Sequence, residues 1–125
     1  MGSEMCIRDS ALSGGIDSSV TAVLLNKSIG KQLKGIAQVH FANFGTRIFY
    51  ANHGGFDTHT NEMVLQQTLW QQLSDALSAF FEDLKEHDTG EEIIVFMFSE
   101  FGRRVIDNGT GTDHGSGGVL SLIHI

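Results

Sequence analysis

Apolar residues recur at helical spacing across residues 61–87. Leu65, Leu69, Leu73, Leu77, Phe80 and Leu84 form one stripe, and Trp70, Ala76 and Phe81 widen it. Gln66, Gln67, Gln71, Gln72, Asp75, Glu82 and Asp83 lie mostly on the other face. This pattern predicts one long amphipathic helix, with Lys85 and His87 suiting its C-terminal dipole and Gly90 its stop. Residues 93–98, IIVFMF, are apolar without alternation, which predicts a strand buried on both faces, as in a parallel sheet. Residues 47–51 predict another strand, because Ile48, Phe49 and Tyr50 suit a pleated, half-buried surface. Strand, long helix and strand together predict a βαβ unit. Ile29, Leu33 and Ile36 fit helical spacing, so residues 29–44 read as a helix with Gly45 at its C-cap; residues 36–41 also fit a short strand. The expected class is α/β.

Composition narrows the functions. The chain has 125 residues, enough for one small domain with a modest core. Eight Lys+Arg against fifteen Asp+Glu give a net charge of −7, which argues against non-specific nucleic-acid binding and against docking on an anionic membrane. No apolar run is long enough to span a bilayer. Met1–Ser10 lacks the charged start and apolar middle of a signal peptide. Cys6 is the sole cysteine, so neither an internal disulfide nor a cysteine zinc site is expected.

The candidate chemistry sits where strands end. After the strand at residues 47–51, Gly54 and Gly55 allow a tight turn, and Asp57 and His59 follow directly. In α/β sheets, ligands bind beyond such strand ends. Glu100 follows the IIVFMF strand and is expected on the same sheet edge. A Gly-rich stretch, DNGTGTDHGSGG, carries Asp113 and His114. Mixed histidine and carboxylate donors suit zinc, manganese or a similar ion acting on a phosphate or sulfate ester. Arg103 and Arg104 are candidates to grip substrate oxygens. The alternatives are turn chemistry or a surface pair for the Asp-x-His triplet, a flexible turn cluster for the Gly-rich stretch, and plain surface charge for the arginines.

A second candidate lies upstream. Ser13, Gly14 and Gly15 precede Asp17, Ser18 and Ser19, and an apolar helical pattern follows. Such a turn offers backbone N–H groups and a helix dipole to an anion, or is an ordinary helix cap. The string SGGIDSS resembles the pyrophosphate loop of N-type ATP pyrophosphatases, and ALSGGIDSSVTAVLLNKSIGKQL is most similar to the version in glutamine-hydrolysing GMP synthases. That resemblance implies ATP or pyrophosphate binding at Ser13, Gly14, Gly15, Asp17, Ser18 and Ser19. At the chain ends, MCIRDS and LSLIHI resemble translated sequencing-adapter read-through, so residues 1–10 and 120–125 are expected to be tails without structure.

A broader resemblance covers residues 29–119. GTRIFYANHGGFDTH and FSEFGRRVIDNGTGTDHG are similar to signatures of the domain of unknown function fifteen-oh-one family, often exported bacterial proteins related to sulfatases and alkaline phosphatases. It implies a truncated alkaline-phosphatase-like sheet with one long amphipathic helix. It places Asp57, His59 and His114 at one metal position and Glu100 toward a second, with Asp113 less defined. It also implies a divalent metal in the complete parent protein, a small phosphate or sulfate ester as substrate, and export of that parent. No residue here matches the first metal carboxylate or the Ser or Thr nucleophile that such enzymes need. The chain therefore reads as a chimeric fragment, inactive alone: residues 11–28 GMP-synthase-like, residues 29–119 sulfatase-like, with tails at both ends. The rival readings are a nucleotide-binding fragment and an assembly artefact without function.

Overall fold

The computed structural model describes residues 28–124, and the backbone of residues 20–22. The chain runs β1 (Val20–Ala22), α1 (Ile29–Phe41), β2 (Ile48–Tyr50), α2 (Glu62–Glu86), a 3-10 turn at Gly90–Glu92, β3 (Ile94–Phe98), β4 (Gly102–Asp107), β5 (Thr112–Gly115) and β6 (Leu120–His124). The class is mixed α/β. The described residues hold three two-stranded sheets: parallel β1–β2, antiparallel β3–β6 and antiparallel β4–β5.

Three expectations are corrected. The βαβ unit lies one element earlier than the apolar pattern suggests. It is β1–α1–β2, with Val20 opposite Ile48 and Ala22 opposite Tyr50. β3 does not join a parallel sheet; it pairs antiparallel with β6, Ile94 opposite His124 and Phe98 opposite Leu120. Ile94, Phe96 and Phe98 are 62%, 52% and 61% exposed, so β3 is not buried on both faces. Its lack of alternation reflects two apolar faces, one of which meets solvent. Leu120–His124, read from sequence as a tail, supplies the partner strand.

The chain divides into two compact units. One is the chain up to His53 with Gln72–Asp83; the other is Gly54–Gln71 with Leu84–Ile125. In the first, Ile29, Leu33, Ile36 and Ala37 of α1 are buried, as are Leu77, Phe80 and Phe81 from the middle of α2. Burying each large apolar side chain contributes about 1.5–3 kcal/mol. Gln32 is buried too, and its amide makes a two-way pair with Asn52: Nε2 donates to the Asn52 carbonyl at 2.7 Å, and Oε1 accepts from the Asn52 N–H at 2.9 Å. A buried amide with both ends satisfied carries little desolvation cost, and this one fixes the chain as it leaves β2.

The second unit holds the ends of α2 and the two antiparallel ribbons. Asn61 precedes α2 at φ +49°, and the Glu62 N–H donates to the Thr110 carbonyl at 3.2 Å. A distant carbonyl thus satisfies a donor that a helix start leaves open. At the other end, Asp88 adopts φ +55°. The Asp88 and Thr89 N–H groups donate to the Lys85 and Leu84 carbonyls, both at 3.0 Å. This left-handed closure stops the helix before Gly90, because aspartate tolerates that conformation better than most residues.

The β4–β5 hairpin depends on glycine. A Cβ on Gly102 would lie 2.6 Å from the Gly115 carbonyl, and one on Gly115 would lie 2.7 Å from the Arg104 nitrogen. The two strands therefore approach as only glycine allows.

Candidate metal centre

The loop before α2 carries Asp57 and His59; β5 carries Asp113 and His114. All four belong to the second unit. Pairing of β4 with β5 sets Arg103 opposite His114. The loop between these strands turns back on its own side chains: Asn108 Oδ1 accepts from the Thr110 N–H at 3.1 Å, and Asp107 Oδ1 accepts from the Gly109 N–H. Asn108 Nδ2 also reaches the His59 carbonyl at 3.3 Å and Asp113 Oδ1 at 3.4 Å. One amide side chain thereby links the two segments that bear the candidate donors.

The donor atoms converge. Asp57 Oδ1 lies 3.1 Å from His59 Nε2 and 2.7 Å from His114 Nε2. The ligand atoms of Asp57, His59 and His114 all lie within 4.8 Å of one another. On the far side of the His59 ring, Nδ1 lies 3.2 Å from Asp113 Oδ1. The His59 and His114 rings are 4.9 Å apart at a 34° tilt, and Phe101 stacks on His114 at 4.2 Å and 17°. The cluster is open to solvent: the side chains of Asp57, His59, His114 and Asp113 are 65%, 46%, 46% and 53% exposed.

A neutral imidazole has one N–H and one lone pair, yet both nitrogens of His59 face carboxylate oxygens. The neutral ring can donate to only one of the two. A zinc-class ion with bonds of about 2.0–2.2 Å to nitrogen and oxygen sets tetrahedral donors about 3.3 Å apart; here Asp57 Oδ1 lies 2.7 and 3.1 Å from the two imidazole nitrogens. One carboxylate and two imidazoles, with a carboxylate behind one ring, is a donor set such an ion accepts. The His114 hydrogen bond, helped by that of His59, holds Asp57 below its ordinary value of 3.8 against partial desolvation. The His59 hydrogen bond holds Asp113 below the same value, with Asn108 and the charges of His59 and Arg104 adding to it.

The remaining candidates lie elsewhere. Glu100 is exposed in the turn between β3 and β4 and is not a member of the converging group. Arg103 and Arg104 stand in β4, not in a loop. Arg104 Nε donates to the His114 carbonyl at 3.2 Å. The Arg103 guanidinium is engaged by protein carbonyls: Nη1 donates to Thr58 and Thr112, Nη2 to Phe56. Ser13, Gly14, Gly15, Asp17, Ser18 and Ser19 lie outside the described residues, as do residues 1–10. Sequence reasoning did not find Asn108, Glu62, Thr58 or Phe101, since each acts through a backbone group or a ring face that no motif marks.

A solvent-open cluster of histidine and carboxylate donors, built on a loop and a hairpin of a small α/β domain, is the chemistry around which the comparisons fall. The family described as Protein of unknown function (DUF1501) matches residues 22–123, most of the chain, and the chain belongs to that family. The match takes in all four cluster residues. No curated protein and no solved structure matches the chain.

Proposed function

We propose that Asp57, His59 and His114 hold a divalent cation of the zinc or manganese class, and that the parent protein uses it on a phosphate or sulfate ester, as a sulfatase-like or alkaline-phosphatase-like hydrolase would. The observation that supports this reading is the convergence of two imidazole Nε2 atoms on one oxygen of Asp57. A bound cation would polarise an ester oxygen as a Lewis acid. Asp113 orients the His59 ring from behind. Arg104 adds positive charge beside Asp113, which suits an anionic ester. No residue of this chain is assigned as the nucleophile, so the property proposed for the chain itself is metal binding, not turnover.

The test is calorimetric titration of zinc or manganese into the full chain. One site is expected, lost in Asp57→Ala and His114→Ala and retained in Glu100→Ala. Binding that survives Asp57→Ala contradicts the proposal.

A further inference from the structure

Behind the exposed cluster lies a second polar arrangement, and it is largely buried. Thr58 is 8% exposed, and the side chains of Arg103 and Glu62 are 19% and 16% exposed. Arg103 is its centre. Nη2 donates to the Phe56 carbonyl at 2.5 Å and lies 3.3 Å from Thr58 Oγ1, while Nη1 donates to the Thr58 carbonyl and, at 2.5 Å, to the Thr112 carbonyl. Phe56 and Thr58 flank Asp57; Thr112 immediately precedes Asp113. Nε faces Glu62 Oε1 at 3.7 Å, and Glu62 accepts from the N–H of Thr112 and, at 3.0 Å, from its hydroxyl. Gln66 adds bonds to the Phe56 carbonyl at 3.1 Å and Thr58 Oγ1 at 3.0 Å. The guanidinium also lies 5.3 Å over the Phe101 ring, the same ring that stacks on His114.

We infer that Arg103 is a positioning residue for the cluster. This inference rests on the metal-binding reading above. One planar fork ties the loop bearing Asp57 and His59 to the strand bearing Asp113 and His114, so it sets the separation of the donor atoms. Three carbonyls from two chain segments need several donors in a fixed plane. Arginine supplies five; lysine supplies three around a point charge and cannot span the same set.

The test titrates zinc alone into the full chain and into Arg103→Lys and Arg103→Ala. Loss of groups that orient metal ligands costs about 10–100-fold in affinity, and that loss is expected in both variants while helical circular dichroism is kept. Millimolar guanidinium is expected to restore part of the affinity to Arg103→Ala, and methylammonium is not. A role in packing alone would not give that difference. If Arg103→Lys loses its helical signal, Glu62→Gln carries the test, with a smaller loss in the same direction. Zinc bound by the unaltered chain and equally by a folded Arg103→Lys or Glu62→Gln overturns the positioning role alone. No zinc bound by the unaltered chain overturns the metal reading and this inference with it.

Discussion

Asp113 stands 3.2 Å from Nδ1 of His59, on the opposite edge of the ring from Asp57, which stands 3.1 Å from Nε2. One imidazole is held between two carboxylates, with different consequences for each. Asp57 shares its oxygen with His114 and belongs to the converging donors; Asp113 acts on His59 from behind. Replacing Asp113 with Asn keeps the shape and removes the charge. Zinc affinity is expected to fall about 10–100-fold, whereas Asp57→Ala abolishes binding. Calorimetric titration of both variants checks the contrast.

Acid should loosen this region of the metal-free chain in a definite direction. Asp57 and Asp113 are both held below the ordinary carboxylate value of 3.8 by their histidine hydrogen bonds. Groups depressed on folding bind fewer protons folded than unfolded, so stability rises with pH through that window. Their contribution is present above the ordinary value and fades as pH falls below it. The Asp57→Asn, Asp113→Asn double variant should therefore show a flatter thermal midpoint than the unaltered chain between about pH 4 and pH 2. Parallel curves would assign acid sensitivity to other groups.

The hairpin makes a sharper structural prediction. A methyl at Gly115 would sit 2.7 Å from the Arg104 nitrogen and 2.8 Å from the Arg103 carbonyl. No side chain can rotate away to relieve those backbone contacts. Gly115→Ala should destabilise the fold by about 1–3 kcal/mol, read by urea denaturation, and should weaken zinc binding because His114 is the preceding residue.

The β3–β6 ribbon turns an apolar face to solvent. Ile94, Phe96 and Phe98 alternate along β3, and Leu120 and Leu122, at 68% and 65% exposure, lie opposite Phe98 and Phe96. Contiguous exposed apolar surface of this kind promotes association. The chain should bind a hydrophobic dye in its native state and sediment faster as concentration rises. A Phe96→Lys, Phe98→Lys double variant should reduce both signals. Unchanged dye binding would mean that this face is covered.

The elements were more legible in the sequence than their pairing. The Leu65–Leu84 stripe marked the long helix because periodicity is a local property. The helix expected over residues 61–87 spans Glu62–Glu86, and the residue that closes it in the left-handed conformation is Asp88 rather than a glycine. The class of β3's partner was not legible: an all-apolar pentapeptide fits a buried parallel strand and a half-exposed antiparallel one equally. At the site, residue types pointed to Asp57, His59, Asp113 and His114, but their meeting depends on a hairpin and a helix start far apart in sequence. The carbonyl partners of Arg103 are not legible in the sequence, because every residue offers a backbone carbonyl and no motif records it. The expectation that Glu100 shares a sheet edge with Asp57 and His59 is not met among the described residues, because β3 pairs with β6 and β2 with β1.

The most direct test of the central claim is the zinc X-ray absorption edge of the full chain loaded with one equivalent of zinc. Binding at Asp57, His59 and His114 gives two imidazole rings and an oxygen donor at about 2.0–2.2 Å, with one imidazole lost in His114→Ala. An oxygen-only shell without imidazole scattering, or a spectrum unchanged in His114→Ala, would contradict it.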